Sequence, residues 1–387
     1  MSEVVPSTQR PIPSLAEPST RSAFYEGIDL LRAGAVFLVL WSHAGHLLPE
    51  AWRPFLTPVW FRPGFWGVTI FFAISGFLVI GQLIDVVMGR RQETLKVFVL
   101  RRWLRTVPTY WILLSLLSGS GIVVWLGWKV FALNGLFVQG PVSGVPALLP
   151  VSWSLVIEEW SYLGFAAFAG LLLFCRQRFQ LPKEWLENLF FVLLVTLPVL
   201  SAVVRWIALD QGASVQTLKQ GLAFQMDALS YGGLLAWWLR RAPKQFQCLS
   251  RGGLLTASLV TVVICGLSST VPELFRNVTE PFPELGRAWV SFGFYPAAGL
   301  LAAALVASSW RFRYSLLPVG VSRACQVLSR CSYSVYLIHL PLAHLLLQLR
   351  PPAGLGLLMY LAGAILIGDF TWRWLERPFM RLRQRLG

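Results

Sequence analysis

Apolar stretches of close to 20 residues recur from residue 28 almost to the end of this chain, and that recurrence constrains the fold more than any single motif. A helix rises about 1.5 Å per residue, so about 20 residues cross a hydrocarbon core while satisfying every backbone N–H and C=O internally. The stretches lie at about 28–48, 65–84, 106–126, 151–174, 189–209, 224–240, 253–271, 288–308, 325–347 and 355–375. The expectation is an all-α, polytopic integral membrane protein with about ten transmembrane helices. With 56% hydrophobic and only 13% charged residues, the chain is excluded from the ordinary soluble class. Its 18 Trp and 26 Phe suit helix surfaces and the water–lipid boundary.

The formal charge of +15 is explained by topology. On the side shared with the N-terminus the loops carry 22 Lys and Arg, against seven on the other side, so both termini are expected in the cytoplasm. Basic residues interleaved with apolar spans form no soluble face for nucleic acid. Residues 1–27, rich in Pro, Ser, Thr and charge, lack the pattern of a signal peptide and read as a disordered cytoplasmic tail. Residues 28–379 form the membrane domain and 380–387 a short cytoplasmic tail. The external segment 127–150, with Asn134, Gly140, Pro141, Gly144 and Pro146, suits an ordered loop or a re-entrant piece. The five cysteines form no CxxC pair, so neither a disulfide nor a metal site is expected.

Ionisable residues inside spans are costly unless they face a partner or a wet cavity. The first span has Asp29, Arg32, His43 and His46; the fourth Glu158 and Glu159; the fifth Arg205; the sixth Asp227; the ninth Arg330, His339 and His344; the tenth Asp369 and Arg373. Counted along the axis, His43, Glu158 and His339 lie about 7, 10 and 12 Å from the outer ends of their spans, so three helices can bring them to one level. Arg32 precedes His43 by about 16 Å and three turns, which puts both on one face. The plain alternative for Asp29 with Arg32 is an i, i+3 ion pair, and for Glu159 a structural pairing with Arg205 or another cation. Arg102 and Arg105 begin the third span at i, i+3. They read either as positive-inside flanking or as a clamp for a phosphorylated ligand, because guanidinium forks match phosphate oxygens. Ser75 reads as a close-packing residue.

Six segments, in order, resemble the membrane-bound acyltransferase-3 family, which includes O-antigen, exopolysaccharide and peptidoglycan O-acetyltransferases. They are IDLLRAGAVFLVLWSH (28–43), GVTIFFAISGFL (67–78), the Arg-x-x-Arg stretch from Arg102 to Pro108, WSLVIEEWSY (153–162), SYSVYLIHLP (332–341) and ERPF (376–379). Gln225 stands where many members carry Arg, and the chain ends soon after its last span, without the esterase-like extracytoplasmic domain fused to some members. Any acyl handover is therefore expected to be completed by the membrane domain or by a separate partner.

The resemblance implies a multi-pass protein of the bacterial cytoplasmic (inner) membrane. No cofactor is expected to be held permanently; acetyl-CoA or another short acyl-CoA enters from the cytoplasm as donor. The acceptor is a hydroxyl of a glycan or lipid-linked oligosaccharide. Arg32, Arg102 and Arg105 would bind the donor. His43 would act as general base and Glu158 would orient it, with Tyr162, Tyr336 and His339 anchoring the acceptor or the thioester oxygen. Membrane lipid surrounds the domain, and neither metal nor nucleic acid is expected. A proton-coupled transporter is the rival class, since intramembrane Glu, His and Arg also mark ion paths, but no inverted repeat is visible. A lipid-modifying acyltransferase of the same fold is the third reading.

Overall fold

A computed structural model describes residues 18–48, 63–91, 93–118, 122–246, 283–309 and 312–386. Among them the chain is helical without a named strand; its one isolated bridge joins Gly140 and Val145. The long helices are α1 (Pro18–Ala44), α2 (Pro63–Val87), α3 (Leu95–Ser118), α4 (Ile122–Gly135), α5 (Trp153–Phe179), α6 (Lys183–Asp210), α7 (Met226–Arg241), α8 (Pro283–Ser309), α9 (Val319–Arg330), α10 (Ser332–Leu349) and α11 (Gly354–Gln384). Six segments among the described residues are long and apolar enough to cross a membrane: Glu26–Ala44, Pro63–Val87, Pro150–Phe179, Lys183–Asp210, Pro283–Ser309 and Gly354–Gln384.

Three differences from the expected ten spans have physical reasons. The span expected at 325–347 is two helices, broken at Cys331, whose backbone leaves the helical basin between α9 and α10. The third span starts at Leu95, so Arg101, Arg102 and Arg105 lie inside a helix of 24 residues rather than in front of it. The helix at the sixth, α7, has only 16 residues. The span expected at 253–271, with Cys248 and Cys265, lies outside the described residues, as does most of the tail at 1–27. The described part of that tail, from Pro18, is already helical.

Helix α2 occupies the middle of the bundle, against α1, α7 and α8. Its closest approach is to α7, where the lipid solvent gives helices little reason to associate unless their backbones can touch. A Cβ at Gly76 would sit 1.9 Å from the carbonyl oxygen of Leu229, and one at Gly232 would sit 2.1 Å from that of Ala73. The two glycines make this reciprocal contact possible. Immediately after Ser75 the helix widens into a π turn over Gly76–Ile80.

Several charged residues inside the bundle are paired. Arg205 of α6 is fully buried and forks onto Asp227 of α7 at 2.5 and 3.1 Å. It also donates to the carbonyls of Phe224 (2.6 Å) and Ser291 (2.8 Å). Ser291 sits in the π segment Trp289–Phe294, where the altered ladder leaves a carbonyl for a side chain to use. Glu159, expected as a partner for Arg205 or another cation, instead accepts from Thr106 Oγ1 at 2.7 Å. At the other end of α7, Arg240 holds Asp85 bidentately at 2.8 and 2.6 Å. Asp369 is shared by Arg330 and Arg373, each at 2.7 Å. Arg205→Met strands a buried carboxylate and is expected to cost about 3–5 kcal/mol, read as a fall in the detergent unfolding midpoint, with Arg205→Met/Asp227→Leu recovering most of it.

The loop after α4 is ordered as expected. Asn134 donates to the carbonyls of Val130 and Pro146 at 2.9 Å and accepts the Leu148 N–H at 3.0 Å. Gln139 reaches Tyr110 and Ser152. Gly127, with φ 82°, makes the kink within α4 that turns the chain towards this loop.

Candidate active site

A cleft opens between α1, α2, α3, α5 and α10, with about 720 Å³ of empty space counting its open side. Apolar residues of α2 form one wall: Val68, Phe71, Phe72, Leu78 and Val79, at spacings that follow one helical face. The polar lining comes from five helices: Arg32 from α1, Ser75 from α2, Arg102, Arg105 and Thr106 from α3, Ser154 and Glu158 from α5, and Tyr333 and Tyr336 from α10.

Five of the residues expected to act thus line one cleft: Arg32, Arg102, Arg105, Glu158 and Tyr336. The other three stand beside it. Tyr162, one turn from Glu158, packs under the Arg102 guanidinium, whose carbon lies 4.5 Å from the ring centre. His339 is fully buried on α10, one turn past Tyr336, and its Nδ1 donates to the Tyr336 carbonyl at 2.7 Å. His43 meets His339 edge-on, with ring centres 4.9 Å apart, and its Nδ1 donates to the Val39 carbonyl at 2.9 Å. A carbonyl only accepts, so Nδ1 of each ring carries a proton.

Arg32 faces Asp29 at 3.6 Å, the expected i, i+3 pair, and also lines the cleft. Asp29 in turn accepts from Ser329 Oγ at 2.9 Å, which ties α1 to α9. Around the cleft, buried hydroxyls hold the polar groups in place. Tyr336 Oη lies 2.7 Å from Ser154 Oγ and donates to the Val151 carbonyl at 2.9 Å. Tyr333 Oη donates to the Thr106 carbonyl at 2.7 Å.

Ser75 is the site residue that sequence reasoning placed elsewhere. Its hydroxyl donates to Glu158 Oε1 at 2.7 Å, while the close packing assigned to it belongs to Gly76 next door. The signal was present in the sequence as a helical stripe through Phe71, Phe72, Ser75, Leu78 and Val79, but nothing local says what that stripe faces. The adjoining π turn fits a functional position, since such turns concentrate at sites. Glu376 opens the terminal ERPF segment. It is buried, accepts from Ser334 Oγ at 3.0 Å, and lies in electrostatic range of Arg105 and Arg32. Among the described residues no group of three or more His, Cys, Asp or Glu is placed to hold a metal ion.

The profile of the family described as "Acyltransferase domain" matches residues 25–371, which takes in every helix that builds the cleft. The chain belongs to this acyltransferase family. Curated relatives include the peptidoglycan O-acetyltransferase OatA of Listeria monocytogenes, 25% identical over 385 residues, covering 92% of this chain and 56% of the relative. The exopolysaccharide production protein ExoZ of Rhizobium meliloti is 27% identical over 345 residues, covering 83% of this chain and 91% of the relative. The O-acetyltransferase OatA of Staphylococcus aureus is 24% identical over 393 residues, covering 92% of this chain and 57% of the relative. The chain therefore spans little more than half the length of the two OatA proteins. No solved structure matches it. Within this acyltransferase the cleft has a cationic portion on α1 and α3, a carboxylate held by a hydroxyl, and a pair of imidazoles of which His339 adjoins Tyr336.

Proposed function

We propose that the chain is a membrane O-acyltransferase that moves an acetyl or other short acyl group from cytoplasmic acyl-CoA to a hydroxyl of an extracytoplasmic glycan. The observation that carries this reading is the cleft itself. In a chain of the acyltransferase family, guanidiniums suited to a phosphorylated donor share one space with the carboxylate, hydroxyl and tyrosine groups that acyl transfer uses. The glycan acceptor rests on the relatives whose names specify peptidoglycan O-acetylation and exopolysaccharide production. The inner membrane as location, with both termini cytoplasmic, rests on the loop charges.

In this mechanism Arg102 and Arg105 hold the donor diphosphate, and Arg32 guides the pantetheine arm along the face that α1 shares with His43. The acceptor hydroxyl gives its proton to Nε2 of His43 as its oxygen attacks the thioester carbonyl. The C–S bond breaks and the proton passes to the departing sulfur, giving the ester and free CoA. Ser75 fixes the Glu158 carboxylate near the reacting groups, where it favours the transient imidazolium. His339, against His43 and bonded to the Tyr336 carbonyl, steadies the ring.

Purified protein in detergent is expected to bind radiolabelled acetyl-CoA, and mass spectrometry of surface polysaccharide from a deletion strain is expected to show lost O-acetyl groups. Absence of donor binding would favour the transporter. Donor binding with an unchanged polysaccharide and an altered lipid profile would favour the lipid-modifying enzyme.

A further inference from the structure

The cationic end of the cleft has a member that the Arg-x-x-Arg motif does not supply. Helix α11 packs along α3, and its last turns carry Arg383. The like charges that act on Arg383 are Arg105 first, then Arg102 and Arg101, all on α3. The one carboxylate in range is Glu93, and it is already engaged by Arg101 at 3.2 Å and Arg91 at 3.3 Å. Arg383 itself makes a long contact, 3.9 Å, with Met380 Sδ. Among the described residues no carboxylate stands within 4.0 Å of Arg102, Arg105 or Arg383.

Partly buried guanidiniums brought together raise one another's electrostatic cost; Glu158 and Glu376 act on Arg105 without an ion pair to it, and a polyanion lowers the remaining cost. A single phosphate would suffice for Arg102 and Arg105. A further guanidinium contributed by a different helix fits a ligand with a second, separate phosphate. Its position gives the order of contacts: Arg102 and Arg105 line the cleft, whereas Arg383 does not. A donor whose thiol end reaches into the cleft leaves its far end outside them.

We propose that Arg383 binds the terminal phosphate of the donor nucleotide, the 3′-phosphate of acyl-CoA, with the diphosphate held by Arg102 and Arg105. This inference rests on the acyl-CoA reading above and assigns the C-terminal helix to the donor site. A lipid headgroup phosphate offers Arg383 the same chemistry, so the test separates the two sources.

The affinities of CoA and 3′-dephospho-CoA are measured on the full chain in detergent, in zwitterionic nanodiscs and in nanodiscs containing phosphatidylglycerol. The wild-type chain is expected to prefer CoA about tenfold, the usual worth of one charge-assisted contact. Arg383→Gln is expected to abolish that preference by weakening CoA while leaving 3′-dephospho-CoA within about twofold, and Arg383→Lys to restore part of it. Equal weakening of both ligands, or a preserved preference, overturns the proposal. A variant altered only in its response to phosphatidylglycerol assigns Arg383 to lipid and also overturns it. Failure of the wild-type chain to bind either ligand overturns the acyl-CoA reading itself, which is a different result from a lost preference.

Discussion

His43→Gln is expected to lower acyl transfer per folded molecule by roughly 10²-fold or more while donor affinity survives. Gln keeps much of the size of the imidazole and can still donate to the Val39 carbonyl, which His43 Nδ1 reaches at 2.9 Å, but it offers no basic nitrogen. A base role therefore predicts a rate loss in a well-folded protein. A packing role predicts the reverse pattern, because His43 lies edge-on to the fully buried ring of His339. Disturbing that contact would reduce the yield of folded protein and leave the turnover of each molecule nearly intact. Transfer per mole of monodisperse protein, with acyl-CoA affinity taken on the same sample, separates the two. Near-native turnover in His43→Gln would move the base to Glu158 or His339.

Arg102→Ala combined with Arg105→Ala should weaken acyl-CoA binding by roughly 10²-fold, since two charge-assisted contacts to phosphate are lost together. The protein should still insert and fold, because neither guanidinium anchors a carboxylate among the described residues. What Arg102 does hold is the face of Tyr162, at 4.5 Å from the ring centre. Arg102→Lys/Arg105→Lys keeps the charge but not the planar fork, and should fall between the two extremes. Donor titration by calorimetry is the measurement. Unchanged affinity in the double alanine variant would reduce both residues to topology signals and leave the basic start of α3 with no part in binding.

The amino-acid sequence by itself determined the class of the protein, because a bilayer admits few backbone solutions. Spaced apolar stretches commit the chain to helices wherever they are long enough, and the described residues of nine of the ten stretches are mainly helical, the remaining stretch, 253–271, lying outside the described residues. Sequence also named the charged residues of the cleft. A charged side chain on a spanning helix carries a cost that must be met by a partner or a cavity, so Arg32 and Glu158 stand out without knowledge of the packing, while Arg102 and Arg105 stand out as paired guanidiniums at a helix start. Helix limits were less legible. The break at Cys331 involves neither Gly nor Pro, and only the helix after it is strongly apolar.

Only the tertiary structure decided which polar residue answers which. Arg205 could have met Glu159 or Asp227, and the choice fell to Asp227 because α6 packs against α7. Ser75 and Gly76 differ by one position, or about 100° around the helix axis, which sends one towards Glu158 and the other against the backbone of α7. Likewise Glu376 and Arg383 lie near the end of the chain and far in sequence from Arg105, yet α11 brings both back to α3. Helical periodicity tells which residues share a face, but the identity of the facing helix is a property of the packed bundle, and that is where the cleft acquires its chemistry.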